Sequence, residues 1–383
     1  GDGRAGARQG TQRRSRQMHL DEVLAGKLQE EEERVARAIN LRWVKPKASG
    51  SAPCARFGHS CTLVRKEDGG AVLLLSGGDA TDDLGRAQTL SDTFEYQVST
   101  GRWRNTEASA VVARSFHTAV PIHNNCGSLL VVWGGECNTL GKKKVLSDLK
   151  IMDLDTCSWF NPNVTGDAPS KRTGHSCVLH QEYCVFFGGV TPSETNPGLA
   201  QRHNDVVVLD TNQWNWFVPP ISGTPPAPRA YHASVLCEGK LVVLGGDSST
   251  QVFSDVHCLD LTSWEWSKES LHGDTFQPCC GHAAAVVGGV NIVVFGGWGL
   301  RGKHKDGRVA QVINTETWEC RNLVPDGAAP TRSGGHSMTL VRDDTGGVSG
   351  GSQLLLFGGQ DEDEKPLAQM HLLKGQLRLL NTH

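Results

Sequence analysis

The sequence predicts an all-β fold: a closed ring of six blades, each of four antiparallel strands, over residues 41–383 behind a short N-terminal helix. Three observations carry that expectation: an excess of glycine, a glycine pair that recurs six times, and a tryptophan that keeps step with it. Glycine supplies 45 of 383 residues, well above the usual ~7%. No Gly-X-Y period exists, which excludes a collagen-like rod. A hydrophobic fraction of 38% and many short apolar runs exclude wholesale disorder. The glycine has to serve turns.

The pair follows an apolar run each time, at Gly77-Gly78, Gly134-Gly135, Gly188-Gly189, Gly245-Gly246, Gly296-Gly297 and Gly358-Gly359. Successive pairs stand 57, 54, 57, 51 and 62 residues apart. A histidine precedes each run: His59, His117, His175, His232, His282 and His336. Trp43, Trp103, Trp159, Trp216 and Trp266 lie 16, 14, 16, 16 and 16 residues before the next of these histidines, and Cys320 holds the sixth place. Trp214, Trp264 and Trp318 sit two residues before three of these positions, a spacing that puts both members of a pair on one face of a strand. A third apolar run opens at Asp92, Asp148, Asp205 and Asp255. Four short strands per unit of about 50 residues is the signature of a propeller blade.

The phase of the repeat is informative. Trp43 comes before any first or second strand, and nothing after Met370 supplies a tryptophan. Residues 41–45 are therefore expected to be the outer strand of the last blade, a mixed closure that leaves no open sheet edge. Residues 1–17 read as a disordered basic tail, and 18–40 as an amphipathic helix or linker with Leu20, Val23, Leu24, Leu28, Val35 and Ile39 at helical spacing. The start without Met, and without the apolar core of a secretory signal, reads as a fragment or processed chain.

These residues resemble the kelch family, in the variety with Arg-x-x-His-Ser before the first strand. The match is seen in Arg56 to Ser60, Arg114 to Thr118, Arg172 to Ser176 and Arg229 to Ala233. The fifth copy has Cys279 in the Arg place, and in the sixth Arg332 is displaced by one residue. Glycine ending the second strand permits left-handed backbone and close approach. The tryptophan packs blade on blade and is expected to find a partner for its indole N–H. The histidine is expected to tie a loop to a neighbouring strand, since six-fold placement spreads such residues too widely for a metal. Arg56, Arg114, Arg172 and Arg229 admit two readings: each fixes its turn through carbonyl contacts, or together they form a partly exposed basic ring.

A net charge of −3 from 38 basic and 41 acidic residues gives no case for nucleic acid or an anionic membrane. No apolar run reaches the ~18 residues of a membrane helix. The twelve cysteines lack any CxxC pair and read as small buried thiols of a reducing compartment, cytoplasmic or nuclear. The expected state is a monomer without cofactors.

Function is expected in the loops after each Gly-Gly, which are long and unlike one another. Blade two offers Glu136 and Lys142, Lys143 and Lys144. Blade five offers Trp298 with Arg301 and Lys303, as an interface anchor or packed on its own loop. Asp361 and Asp363 in blade six, with Asp79, Asp82 and Asp83 in blade one, make an acidic sector. A rim of both signs suits a protein or peptide partner, so the chain reads as a non-catalytic interaction module. One alternative is the substrate-recognition arm of a ubiquitin ligase, because helix 18–40 running into the propeller is similar to the junction in F-box–kelch proteins. A metal-dependent propeller lyase or oxidase is disfavoured. No E-x-x-x-D-x-x-x-H, GxSxG, HExxH or Walker motif occurs, and Tyr183 and Tyr231 read as strand-core residues.

Overall fold

The computed structural model describes residues 41–375 apart from 67–69, 83, 107–111, 140–141, 193–199, 300–308 and 343–351. The tail and helix expected over 1–40 lie outside the described residues. Six main sheets surround one axis, and the innermost strands of blades 1 to 6 begin at Ser60, Thr118, Ser176, Ala233, Ala283 and Ser337. Blade 4 shows the plan. Ala233–Cys237 is innermost, followed outward by Lys240–Leu244, Val256–Asp260 and Glu265–Glu269, all antiparallel. Leu241 to Leu244 are all buried, since both faces of this strand meet neighbouring blades. That is why second strands read as unbroken apolar runs.

Blade 6 takes its outer strand, Arg42–Val44, from the start of the described chain, with Trp43 opposite Leu373. The innermost strand of blade 6 in turn packs on that of blade 1, and the ring is closed. Five of the sheets carry a fifth strand of two residues, parallel to the outer one, such as Ser222–Gly223 beside Glu265–Glu269. The sequence signal for it is a glycine seven residues after five of the six outer-strand Trp or Cys residues, all but Trp103: Gly50, Gly166, Gly223, Gly273 and Gly327. At Gly223, with φ of 73°, any Cβ would collide with the Trp266 carbonyl.

Apolar side chains meet between blades rather than within them. The outer-strand tryptophan packs on the last residue of the second strand in the preceding blade. Trp43 meets Phe295, Trp103 meets Phe357, Trp216 meets Trp133 and Trp266 meets Phe187, with ring centroids 4.9–5.9 Å apart. Enclosure by apolar neighbours has a cost: the indole nitrogens of Trp43, Trp159 and Trp266 are buried without the hydrogen-bond partner the sequence led us to expect. The blade 1–blade 2 joint differs. Ser76 stands where the other blades put Trp, Phe or Leu, and Thr62, Thr93 and Glu95 are buried beside it. Its apolar groups are small, Val64, Val72 and Leu74 on one side and Leu130, Val132 and Met152 on the other.

Two expectations about local structure are corrected. Trp214, Trp264 and Trp318 do not share a strand face with the residue two places on; each sits in the preceding turn with φ of 51–59°. The turn is built by an acceptor side chain, as where Asp260 Oδ1 takes the N–H groups of Thr262 and Ser263, and a left-handed residue then closes it. The twelve cysteines are all free, but only five are buried, and Cys54 and Cys126 are exposed.

Each histidine crosses to the preceding blade. Nε2 of His59, His117, His175 and His232 shares a hydrogen bond of 2.8–3.2 Å with Ser337, Ser60, Thr118 and Ser176, each the residue after the previous histidine. Where that residue is Ala233, His282 has no hydroxyl to meet; where it is Ala283, His336 turns to the Phe295 carbonyl at 3.1 Å. The imidazoles are wedged between blades. Among the described residues, no three His, Cys, Asp or Glu side chains group as a metal site would require.

Burial, reinforced by neighbouring Arg and His charges, holds these histidines far below their ordinary value near 6.5; His59 is lowered to about 3. The folded state therefore keeps them neutral, while the unfolded chain takes up protons below 6.5. Their contribution is complete above that pH and is lost as pH falls toward 3. Melting temperature should decline steadily from pH 7 to pH 4 in a thermal scan; a flat profile contradicts the wedge. Trp216→Ala should lower stability by about 3–5 kcal/mol in denaturant titration. Gly245→Val should abolish soluble folded protein, because a Cβ there lies 2.6 Å from the Cys279 carbonyl at a φ of 55°.

Candidate functional site

The loop face is the end of the ring where second strands finish and each chain segment enters the next innermost strand. Just beneath it lie the four repeated arginines. They are not a partly exposed basic ring: Arg56 and Arg229 are 0% exposed, Arg114 2% and Arg172 3%. Arg229 shows why. Its Nε donates to the Ala227 carbonyl at 3.0 Å and Nη1 to the Gly245 carbonyl at 2.7 Å, while Nη1 and Nη2 grip both oxygens of Asp255 at 2.6 and 3.0 Å. One guanidinium thus ties the entry loop, the Gly-Gly and the start of the third strand. Arg56–Asp92 and Arg172–Asp205 repeat the arrangement, and Arg114 reaches Asp148 through Oδ2 alone. Burial would raise the Asp255 carboxyl, but bonds from His257 and Arg229 outweigh it and hold it well below the carboxylate range. Of the two readings the sequence allowed, the turn-fixing one describes these residues.

Around the axis runs a second device that sequence reasoning missed. The residues directly before the histidines, Gly58, Phe116, Gly174, Tyr231, Gly281 and Gly335, bond head to tail. Each N–H donates to the carbonyl of the one before, at 2.6–3.1 Å, and Gly58 N–H closes the circle on Gly335. All six are left-handed, Phe116 and Tyr231 included, with φ of 51° and 53°, a strained state for such residues. Tyr231 therefore belongs to the axis and not to a strand core. Four glycines and two aromatics before the histidines were the available signal. These residues and the six histidines line a cavity of about 150 Å³.

Above it the mouth is paved with aromatic rings. Phe57, Phe116 and Tyr231 form a chain of edge-to-face contacts at 5.9 and 5.2 Å. Trp298 is folded inward as well. Its backbone pairs with Cys280, and its indole fills the space left by the absent side chains of Gly281 and Gly334. It packs on glycines of its own and the next blade, keeps partial exposure, and does not project from a basic loop. Arg301, Lys303 and Asp83 lie outside the described residues.

Hairpins rise from the first three blades, at Asp79–Thr81 with Ala87–Thr89, Glu136–Thr139 with Lys142–Val145, and Val190–Pro192 with Ala200–Arg202. Lys142, Lys143 and Lys144 are exposed, and Lys143 Nζ lies 3.1 Å from Glu136. The acidic sector is partly committed to its own loops. Asp361 Oδ1 accepts from the N–H groups of Asp363 and Lys365, Asp82 pairs with Arg86, and Asp363 is exposed.

A closed ring of six four-stranded blades, with Gly-Gly, His and Trp in register, defines a kelch-type propeller. The profile of the KLHDC2/KLHL20/DRC7 Kelch-repeats domain matches residues 68–297 and 116–351, and the chain belongs to this family. It is 30% identical to the Rab9 effector protein with kelch motifs of Bos taurus, over 53% of this chain and 52% of that protein. It is 29% identical to the flagellar outer-arm dynein alpha chain of Chlamydomonas reinhardtii, over 56% of this chain and 5% of that one. Against acyl-CoA-binding domain-containing protein 4 of Arabidopsis thaliana the figures are 31%, 52% and 27%. The matched segment thus spans about half the length of the Rab9 effector relative and much less of the other two.

The guanidinium hub leads to a stability test. Arg229→Met removes the donors to Ala227, Gly245 and Asp255 while filling the space. It should cost about 2–4 kcal/mol in denaturant titration, moderated because Asp255 can still hydrate.

Proposed function

We propose that this propeller is a non-catalytic module that holds a protein or peptide partner on its loop face. The observation that carries the reading is the aromatic mouth, partly exposed on a scaffold otherwise closed, with hairpins of opposite charge at its rim. Aromatic side chains held rigidly by packing are the residues that anchor interfaces, and flanking charges select partner and orientation. The name of the Rab9 effector relatives supports a binding role of this kind. The ubiquitin-ligase reading rests on residues 18–40 and is a special case of the same module.

The test is affinity capture with quantitative mass spectrometry. Replacing Lys142, Lys143 and Lys144 with Glu should reduce capture of the principal partner about tenfold and lower melting temperature only slightly, because all three are exposed and only the Lys143–Glu136 pair is given up. Capture equal to that of the unmodified chain would place the binding face elsewhere.

A further inference from the structure

We infer that the axial mouth receives a cationic side chain, an arginine or lysine of the partner. The inference rests on the protein-binding reading and adds the chemistry of the bound group. The floor consists of Phe57, Phe116, Tyr231 and Trp298, none of them fully buried. Aromatic faces carry negative potential and attract ammonium and guanidinium groups. The next ring outward is the residue after each Gly-Gly. It is bridged through its backbone to the residue two before each histidine, and three of its members are Asp79, Glu136 and Asp247. Glu136 and Asp247 stand close enough to the Tyr231 hydroxyl that their charges add to burial in pushing it upward.

Asp79 is the most telling of the three. Its Oδ1 accepts from Thr89 Oγ1 at 2.6 Å and its Oδ2 from Ser115 Oγ at 2.8 Å. Both donors are neutral, and Asp79 makes no ion pair among the described residues. Burial raises its pKa against the pull of these hydroxyls and of the more distant Lys143. A partly desolvated carboxylate without a counterion is unfavourable, and a guest cation supplies what it lacks. Asp247 adds an acceptor, since Arg202 engages Oδ2 at 2.6 Å while Oδ1 is buried without a partner. Glu136 is matched by Lys143. An anionic guest would meet the carboxylates of Asp79 and Asp247 over aromatic faces, and an apolar one would leave Asp79 uncompensated.

A position-scanning peptide array probed with the purified chain tests this. Arginine and lysine should be selected at one dominant position, and acetyl-arginine amide should displace the selected peptide where acetyl-glutamate amide does not. Asp79→Asn, which keeps an oxygen for Thr89 or Ser115, should weaken that peptide about tenfold with melting temperature unchanged. Selection of acidic or apolar residues, with binding still removed by the Lys142 to Lys144 reversal, overturns the cation inference and leaves the protein-binding reading standing. Arginine selection that Asp79→Asn does not weaken, in a variant that melts normally, also overturns it. An array without selection, together with undiminished partner capture by the reversed variant, overturns both.

Discussion

Six sheets can surround one axis only if the backbone of each reaches the backbone of the next, and here that contact is made where a Gly-Gly meets the Arg-to-His segment of the following blade. At Gly188-Gly189 the second N–H donates to the Arg229 carbonyl at 2.9 Å, and a Cβ on the first would meet that carbonyl and the His232 ring at 2.9 Å each. The same segment sends its guanidinium inward to its own blade and its imidazole back to the previous one. Glycine, arginine and histidine repeat together because they are parts of one joint. The tryptophan completes it farther out, on the aromatic residue that precedes the glycines.

The joint varies in ways that show its physics. Blade 5 has Cys279 in the Arg place and Val309 in the Asp place. The charges are lost as a pair, which avoids stranding either one. Blade 6 has Ser333 and Gln369 instead, and the Gln369 amide reaches both Ser333 and the Gly358 carbonyl at 3.1 and 3.2 Å. The carbonyl that arginine serves elsewhere is thus served without charge. At the blade 1–blade 2 joint the variation lies in the packing. Ser76 bonds Thr93, Glu95 pairs with Lys66 and Arg104, and Trp159 is left only half-buried.

Residues that repeat are committed to joints, and the blades differ at the position after each Gly-Gly. Trp298, Asp79, Glu136, Val190, Asp247 and Gln360 occupy one structural position with five different kinds of side chain. Each makes the same backbone pairing, whatever its side chain. The scaffold therefore does not dictate its chemistry.

Much of the architecture was legible in the chain alone. The Gly-Gly, His and Trp registers specify blade number and strand order, because local sterics and burial act the same way in each copy. The early Trp43 likewise marked where the ring closes. The destination of each side chain was not legible. An arginine in a turn is a surface residue until an aspartate some 26–36 residues later folds against it. A tryptophan in a basic loop is exposed until two glycines, one beside the histidine of its own blade and one in the next, leave it a bed. The head-to-tail ring of peptides at the axis is wholly a tertiary fact. Its members come from six segments that the sequence separates by 50 residues or more, and only closure of the whole circle brings each N–H to the next carbonyl.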